Sequence, residues 1–201
     1  MMITTNYLRN GLMLVLACSL GACLKSNPPV KSERYSLPEV QASASAVQDK
    51  SATRTLVLNK IQLADYLDSD RIVVQLDDIT LHPARDHLWV DNLSQELSRG
   101  LRTRLSSRLA DTAVVEPLPG APLKTNSLQL TIDQFHGQMQ GYAVLSGHWQ
   151  LLSADRAPLQ NQSFKFTTPL SESGYPALVR ALGNNLDLLS EQIAAQIQHK
   201  Q

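Results

Sequence analysis

Three runs of alternating apolar and polar residues fill most of the second half of the chain. Alternation with a period of two is the pattern of a half-buried β-strand. The turn sequence of residues 153–156 separates the second run from the third and predicts a hairpin between them. The apolar members of the three runs are Leu128, Leu130 and Ile132; Ala143, Leu145, Trp149 and Leu151; and Phe164 and Phe166.

Two other segments have the spacing of helices. Leucines recur at every fourth position from Leu93 to Leu109, which is the period of one helix face. Asp91 or Asn92 is placed to cap the first turn of this helix. Residues 175–199 predict a second amphipathic helix. We therefore expect an α+β fold in a single domain, with a mostly antiparallel sheet and two main helices packed on it.

Shorter alternating segments precede these elements. They predict strands at residues 35–38, 55–63, 71–76 and 113–116. Pro38 would confine the first of them to an edge or end it. Residues 65–70 predict a polar turn, and residues 81–87 predict a connection that is broken by Pro83.

The amino terminus has the parts of a secretory signal. The apolar run of residues 11–20 is too short to span a bilayer, which takes about 20 apolar residues. Arg9 supplies the positive charge that precedes the apolar part of a signal peptide. Residues 1–22 are therefore predicted to be a signal peptide.

Leu20-Gly21-Ala22-Cys23 ends this run and predicts a lipobox, in which cleavage frees a cysteine that then carries lipid. The small residues fit the peptidase site, and the sulfur of Cys23 takes the diacylglycerol. The alternative is an ordinary signal peptide with an incidental cysteine. Cys18 is a weaker candidate, because a bulky leucine stands where a small residue is preferred.

A lipid on Cys23 would anchor the protein, since two or more acyl chains, palmitate among them, hold stably in a membrane. Residues 23–33 would be the lipidated tether and residues 34–201 the folded domain. In enteric-type bacteria an aspartate after the cysteine favours retention in the inner membrane. Leu24 therefore favours the outer membrane, with the domain on its periplasmic face.

Composition argues against several classes of function. The 18 basic and 18 acidic residues give a formal net charge of zero, which offers no electrostatic basis for binding nucleic acid. The chain has two cysteines, of which Cys18 lies in the signal and Cys23 takes the lipid. The mature chain therefore has no cysteine for a disulfide or a metal site.

The histidines do not form a metal-binding pattern. His82 and His87 flank Pro83, and no third ligand is placed to complete a zinc site. His136 and His148 lie on neighbouring predicted strands, where a facing pair is possible. We expect no bound metal.

Motifs for catalysis are also missing. Asp77 and Asp78 are adjacent, so on a strand they would point to opposite faces and make a poor acid–base pair. The chain has no Gly-x-Ser-x-Gly turn and no glycine-rich phosphate loop. We expect neither an enzyme nor a cofactor.

Two features allow alternative interpretations. Trp89 either staples the start of the first helix to the sheet or anchors a partner protein. Arg99, Arg102, Arg104 and Arg108 give the first helix several positive charges. These form either a solvated face or a contact for anionic lipid or an acidic partner.

An ordered set of short motifs runs along the chain after the lipobox. The set comprises Tyr35-Ser36-Leu37-Pro38, Ala64-Asp65-Tyr66-Leu67, Arg71-Ile72-Val73-Val74, Leu88-Trp89, the leucines of the first helix, Phe135, Gly141, Ser146-Gly147-His148-Trp149-Gln150-Leu151 and Gly174-Tyr175. In this order and spacing the chain resembles the PqiC (YmbA) lipoproteins, also called ABC-type transport auxiliary lipoproteins, of the paraquat-inducible membrane-integrity system.

The resemblance implies a role at the outer-membrane end of an envelope transport system. The implied partner is an MCE-domain protein, the implied cargo is phospholipid or another hydrophobic molecule, and the implied assembly is a homo-oligomer. Cys23 is the one functional position that the resemblance transfers firmly. Tyr35, Tyr66, Leu67 and Trp89 match the family pattern as partner or structural residues. The alternatives are a structural envelope lipoprotein without a transport role and a periplasmic hydrolase.

Overall fold

The computed structural model describes residues 31–39, 52–117 and 125–198. These residues form nine strands, two helices and one 3-10 turn. The strands are β1 (Glu33–Tyr35), β2 (Arg54–Leu58), β3 (Gln62–Leu63), β4 (Arg71–Gln75), β5 (Leu81–Trp89), β6 (Thr112–Val115), β7 (Asn126–Gln138), β8 (Tyr142–Leu152) and β9 (Pro158–Pro169). The helices are α1 (Leu93–Arg108) and α2 (Tyr175–Gln198), and the 3-10 turn is Asp65–Leu67.

The sheet is built around β7. One edge of β7 pairs antiparallel with β8, which in turn pairs antiparallel with β9. The other edge is lined in succession by β2, β3 and β4, all parallel to β7. β6 extends the sheet beside β2, while β5 and then β1 extend it beside β4. The longest pairings are antiparallel, and the predicted α+β class is confirmed.

Both helices contribute their apolar stripes to one core. Leu97, Leu101 and Leu105 of α1 are fully buried and belong to the same cluster as the β7 leucines. α2 lies across β8 and β9 and also contacts α1. The side chain of Asn92 accepts a hydrogen bond from the Gln95 amide at 3.3 Å, so Asn92 is the residue that caps α1.

The prediction for residues 81–87 was wrong, because they belong to strand β5 rather than to a connection. Pro83 pairs with Val73 of β4. β1 joins the other edge of β5 only from His87 onward, so in the described part of the chain that edge has no neighbour at Pro83. A proline is tolerated in a strand at such an edge because its missing N–H breaks no ladder.

Two other predicted strands have different bounds. The strand predicted at residues 55–63 is divided into β2 and β3, which pair with separate parts of β7. The strand predicted at residues 35–38 is displaced towards the amino terminus, where it forms β1. Pro38 lies beyond its end.

Candidate anchor-attachment site

Cys23 lies outside the described residues, as do the predicted signal peptide and most of the tether, so lipid attachment remains a prediction. The first element of regular structure in the described chain is β1. Residues 33–38, here called the attachment segment, would join the lipid anchor to the folded domain. The contacts of this segment decide how firmly the anchor and the domain are coupled.

The first half of the attachment segment is held by β5. Tyr35 pairs with Trp89 in parallel register. Arg34 Nη1 donates a hydrogen bond to the carbonyl oxygen of Trp89 at 3.1 Å, and the Val90 amide donates to the carbonyl oxygen of Tyr35 at 2.9 Å. The segment therefore enters the sheet as an edge strand.

Side chains around Tyr35 form a polar aromatic cluster. Its hydroxyl donates a hydrogen bond to the Glu33 carboxylate and lies 3.0 Å from His87 Nδ1. The His87 ring stacks on Tyr175 with ring centroids 3.8 Å apart. Burial, and then the Glu33 carboxylate, raise the pKa of Tyr35 to about 12. At neutral pH the Tyr35 phenol is therefore a protonated hydrogen-bond donor.

The second half of the attachment segment is seated on the helices. Leu37 is buried in the main core. Pro38 packs on Gly183 of α2, where a Cβ would come within 2.9 Å of the proline Cδ. The Pro38 carbonyl accepts a hydrogen bond from Arg104 Nη2 at 3.1 Å. Both helices thus hold the segment.

Arg104 connects the attachment segment to α1 and α2. The residue is only 2% exposed. Its Nε donates to Asp187 Oδ1 of α2 at 2.7 Å, and its Nη1 donates to the Gly100 carbonyl at 3.2 Å. Every nitrogen of the guanidinium thus has an acceptor, which is what a buried arginine requires.

The other arginines on α1 are largely paired as well. Arg99 lies 2.7 Å from Asp91, and Arg102 forms an ion pair with Glu116. Arg108 Nη1 donates to a backbone carbonyl of α1. Because carboxylates already neutralise Arg99 and Arg102, the geometry favours a solvated face over a site for anionic lipid.

Glu96 was not identified from the sequence. It is buried beside Ser36 and Leu37 of the attachment segment, and its Oε2 atom has no hydrogen-bond partner. Burial raises the pKa of this carboxyl above its ordinary value. Its position next to Leu97, on the flank of the leucine stripe, is the sequence signal that could have revealed its burial.

The remaining motif residues lie in or near the core. Trp89 is 2% exposed, and its ring centroid is 5.9 Å from that of Phe135, so it has almost no surface for a partner to contact. Leu67 is buried in the same core. Tyr66 donates its hydroxyl hydrogen to the Asp133 carbonyl at 3.0 Å, and burial is the main cause that raises its pKa to about 12. The structure therefore brings Tyr35 and Trp89 together on neighbouring strands and leaves Tyr66 beside β7.

The histidines do not converge. His136 pairs with Val144, whereas His148 pairs with Thr131, so the two histidines do not face each other. His136 is buried, its Nδ1 is 3.0 Å from the Gly137 carbonyl oxygen, and burial lowers its pKa. No group of three metal-ligating side chains occurs within the described ranges. None of the helices in those ranges is long and apolar enough to cross a membrane.

The sequence of the described domain matches a known family. The family model of the ABC-type transport auxiliary lipoprotein component matches residues 35–194. The chain belongs to this family. The matched region begins within the attachment segment and ends within α2, so it covers most of the described domain.

Relatives and solved structures agree with this assignment. The chain is 26% identical over 191 residues to the intermembrane transport lipoprotein PqiC of Escherichia coli, covering 94% of this chain and 98% of that protein, and the Shigella flexneri PqiC gives the same values. A crystal structure of an uncharacterized protein is 27% identical, with a TM-score of 0.71 over 83% of this chain and 99% of the other. A Xanthomonas campestris protein shares the fold, at 17% identity and a TM-score of 0.66 over 84% of this chain and 100% of the other.

The family description and the relatives' name refer to transport and mention no catalytic activity. The chain is accordingly an auxiliary lipoprotein of a transport system. This classification agrees with the expected role as far as transport and lipoprotein character are concerned.

Proposed function

We propose that this auxiliary lipoprotein is the non-catalytic docking subunit of an MCE-type system that moves lipid between membranes. Acyl chains on Cys23 would fix it to the periplasmic face of the outer membrane, after removal of residues 1–22. The observation that supports the proposal best is the 26% identity to the intermembrane transport lipoprotein PqiC, which extends over 94% of this chain.

The attachment segment supports a tethered role. A force on the tether would reach β5 through the pairing of Tyr35 with Trp89, and it would reach both helices through Pro38. A segment seated on three elements keeps the domain coupled to its anchor when a partner pulls on it. Tyr35 and Trp89 then act as structural residues of the coupling.

The partner would be an MCE-domain protein of the paraquat-inducible type, and the cargo would be phospholipid. Both follow from the family resemblance, as does a contribution to envelope integrity. Because the end of a conduit presents a ring-shaped contact, we also propose that the protein self-associates. The outer edge of β9 over residues 160–169, a strand that pairs only with β8 in the described chain, is available to a second copy.

The test is a pull-down of the lipidated protein from membranes in mild detergent, followed by mass spectrometry of the recovered proteins and lipids. We expect an MCE-domain protein with the wild-type chain and much less of it with Cys23→Ala. Recovery of the folded, lipidated chain without any MCE-domain protein would contradict the docking role. That outcome would favour a structural envelope lipoprotein without a transport role.

A further inference from the structure

An apolar patch occupies one end of the sheet. Ile79 is 87% exposed and Met139 is 65% exposed, although both are large apolar residues. Leu76, Leu81 and Tyr142 beside them are also exposed, and we call these five residues the apolar tip. Its residues lie in or beside two turns, one between β4 and β5 and the other between β7 and β8. Exposed apolar residues that cluster in this way mark an interaction surface.

The two turns are held together by the backbone. Gln75 pairs with Leu81 across the β4–β5 hairpin. The Met139 amide donates a hydrogen bond to the Gln75 carbonyl at 3.0 Å, which brings the second turn against the first. The residues of the apolar tip therefore lie on two adjoining turns at one end of the sheet.

Hydrogen bonds within its turn hold Ile79 in an exposed position. Asp77 Oδ1 accepts hydrogen bonds from the Ile79 amide at 3.0 Å and the Thr80 amide at 2.7 Å. The Leu76 amide donates to the Thr80 carbonyl at 2.9 Å and closes the hairpin. A turn that is fixed by three hydrogen bonds presents the isoleucine outward and does not allow it to fold back onto the core.

The attachment segment runs parallel to β5, and its first residue is the one nearest to the tip. Glu33 pairs with His87, and His87 stacks on Tyr175, the first residue of α2. α2 follows β9, whose last residue, Pro169, pairs with Tyr142 of the apolar tip. The attachment segment therefore starts six β5 residues away from the tip and leads away from it, so the preceding tether approaches from the side of the tip.

The tether is long enough to place a lipid anchor beyond the tip. Glu33 is the tenth residue after Cys23. Ten residues span at most about 35 Å when they are extended. The six residues of β5 that separate His87 from Leu81 cover about 20 Å. A membrane held at Cys23 can therefore contact the tip while the domain stays folded.

Resting on the proposed lipid anchor, we propose that the apolar tip inserts into the same membrane leaflet that holds the acyl chains of Cys23. The surface that it meets is zwitterionic phospholipid, because Asp77 and Asp78 flank the tip and would be repelled by anionic headgroups. Burial of apolar side chains drives the contact, so salt does not weaken it. Two points of attachment fix the orientation of the domain on the membrane and turn its opposite end towards the periplasm.

The test places a fluorescent probe on the tip. Ile79→Cys gives the mature, acylated chain a single free thiol, because Cys18 leaves with the signal and Cys23 carries lipid. The thiol is labelled with the environment-sensitive dye NBD, and the lipidated protein is reconstituted into vesicles of phosphatidylethanolamine and phosphatidylcholine. Matched controls are Asp155→Cys, in the exposed turn at the opposite end, and Leu188→Cys, at an exposed apolar site on α2.

We expect blue-shifted emission at residue 79, and quenching by spin-labelled phospholipid at least threefold stronger than at residues 155 and 188. Adding Met139→Asp should reduce that quenching at least twofold, while 0.5 M salt should leave it unchanged. Equal quenching at the three positions would overturn the proposal. A blue shift without lipid quenching would also overturn it, because a second protein chain would then cover the tip.

The intact mass of the labelled protein separates this proposal from the proposed anchor. A mass without acyl chains would refute the anchor and the tip insertion together. An acylated protein whose residue 79 stays in water would refute the tip insertion and leave the anchor standing. Recovery of an MCE-domain protein in the pull-down tests the docking role in a separate experiment.

Discussion

Pro38 lies so close to Gly183 that a Cβ at residue 183 would come within 2.9 Å of the proline Cδ. Since Pro38 ends the attachment segment and Gly183 lies in the middle of α2, this contact connects the tethered end of the chain to its longest helix. The hydrogen bond from Arg104 to the Pro38 carbonyl adds α1 to the same joint. A lipid anchor at Cys23 would pull on the core through this joint.

The Pro38 contact predicts that the effect of Gly183→Ala on stability has opposite signs in the presence and absence of Pro38. Overpacking costs about 1–3 kcal/mol, whereas replacing glycine by alanine within a helix contributes about 1 kcal/mol of stability. We expect Gly183→Ala to lower the free energy of unfolding by about 1 kcal/mol in the natural chain. In a Pro38→Ala background the same change should raise it, because the crowding atoms are gone. The four chains of this double-mutant cycle are the natural one, the two single variants and the double variant. Urea titration of each chain, with Cys23→Ala added so that no lipid interferes, gives the free energies of unfolding. Equal effects in both backgrounds would contradict the contact.

Arg104 and Arg102 lie on the same helix, α1, and allow a buried arginine to be compared with a partly exposed one. Arg104 is buried and bonded to Asp187 and two carbonyls, whereas Arg102 is partly exposed and paired with Glu116. We expect Arg104→Ala to cost about 2–3 kcal/mol, which is below the usual cost of breaking a buried pair because Asp187 keeps access to water. Arg102→Ala should cost less than about 1 kcal/mol. Equal losses in urea titration would show that Arg104 does not hold the joint.

Asn185 ties α2 to the sheet. Its Nδ2 donates to the Ala143 carbonyl at 3.1 Å, and its Oδ1 accepts from the Thr168 hydroxyl at 2.6 Å. Asn185→Ala should cost about 1–3 kcal/mol because it leaves buried partners unsatisfied. Asn184→Ala on the exposed side of the same helix gains the same helix propensity and should change stability by less than about 0.5 kcal/mol. Thermal unfolding of the two variants compares them directly, and a smaller loss for Asn185 than for Asn184 would refute the role.

The raised pKa of Glu96 predicts the direction in which the stability of the fold changes with pH. Burial raises the pKa of its carboxyl above the ordinary value of 4.5, so the folded state binds more protons than the unfolded state between these two values. Stability from this group is present below pH 4.5 and is lost as pH rises through the folded-state pKa. Glu96→Gln should therefore be more stable than the natural chain at pH 7, and the gain should vanish below pH 4.5.

His136 acts in the opposite direction, since burial lowers its pKa below 6.5 and its neutral form favours folding as pH rises. Its contribution is the same in both chains and cancels in the difference between them. Urea titrations at several pH values between 4 and 7 give that difference. A gain for Glu96→Gln that does not change with pH would rule out a carboxyl with a raised pKa.

Periodic patterns predicted the longest elements, because these bury one face along their whole length. The leucines from Leu93 to Leu105 gave α1, and the alternating runs gave β7, β8 and β9. The class, the single domain and the position of the hairpin turn before Pro158 followed from the same patterns.

Pairings between distant residues could not be predicted. β2 lies parallel to β6, with Arg54 opposite Thr112, and nothing local in either strand specifies that partner. Residues 81–87 form a strand because β4 pairs with this segment, although Pro83 indicates a break. Tertiary pairing overrides local propensity at such positions.

The attachment site was predicted in part. Tyr35 and Trp89 were identified as family motifs, but their pairing depends on a strand that the sequence did not indicate. Arg104 was predicted only as one of several charges on the first helix, and Glu96 was not identified, because charged residues are rarely buried unless the fold brings partners to them. Their partners Leu37, Pro38 and Asp187 come from other elements.

The most direct test of the account is the intact mass and location of the protein in cells that express the natural chain. Mass spectrometry of material from separated inner and outer membranes gives the first residue and any attached lipid. The account predicts a chain that begins at Cys23, carries two or three acyl chains and is found in the outer-membrane fraction, and it predicts that Cys23→Ala is absent from that fraction. A mature chain without acyl groups, or an acylated chain confined to the inner membrane, would contradict the anchored docking role.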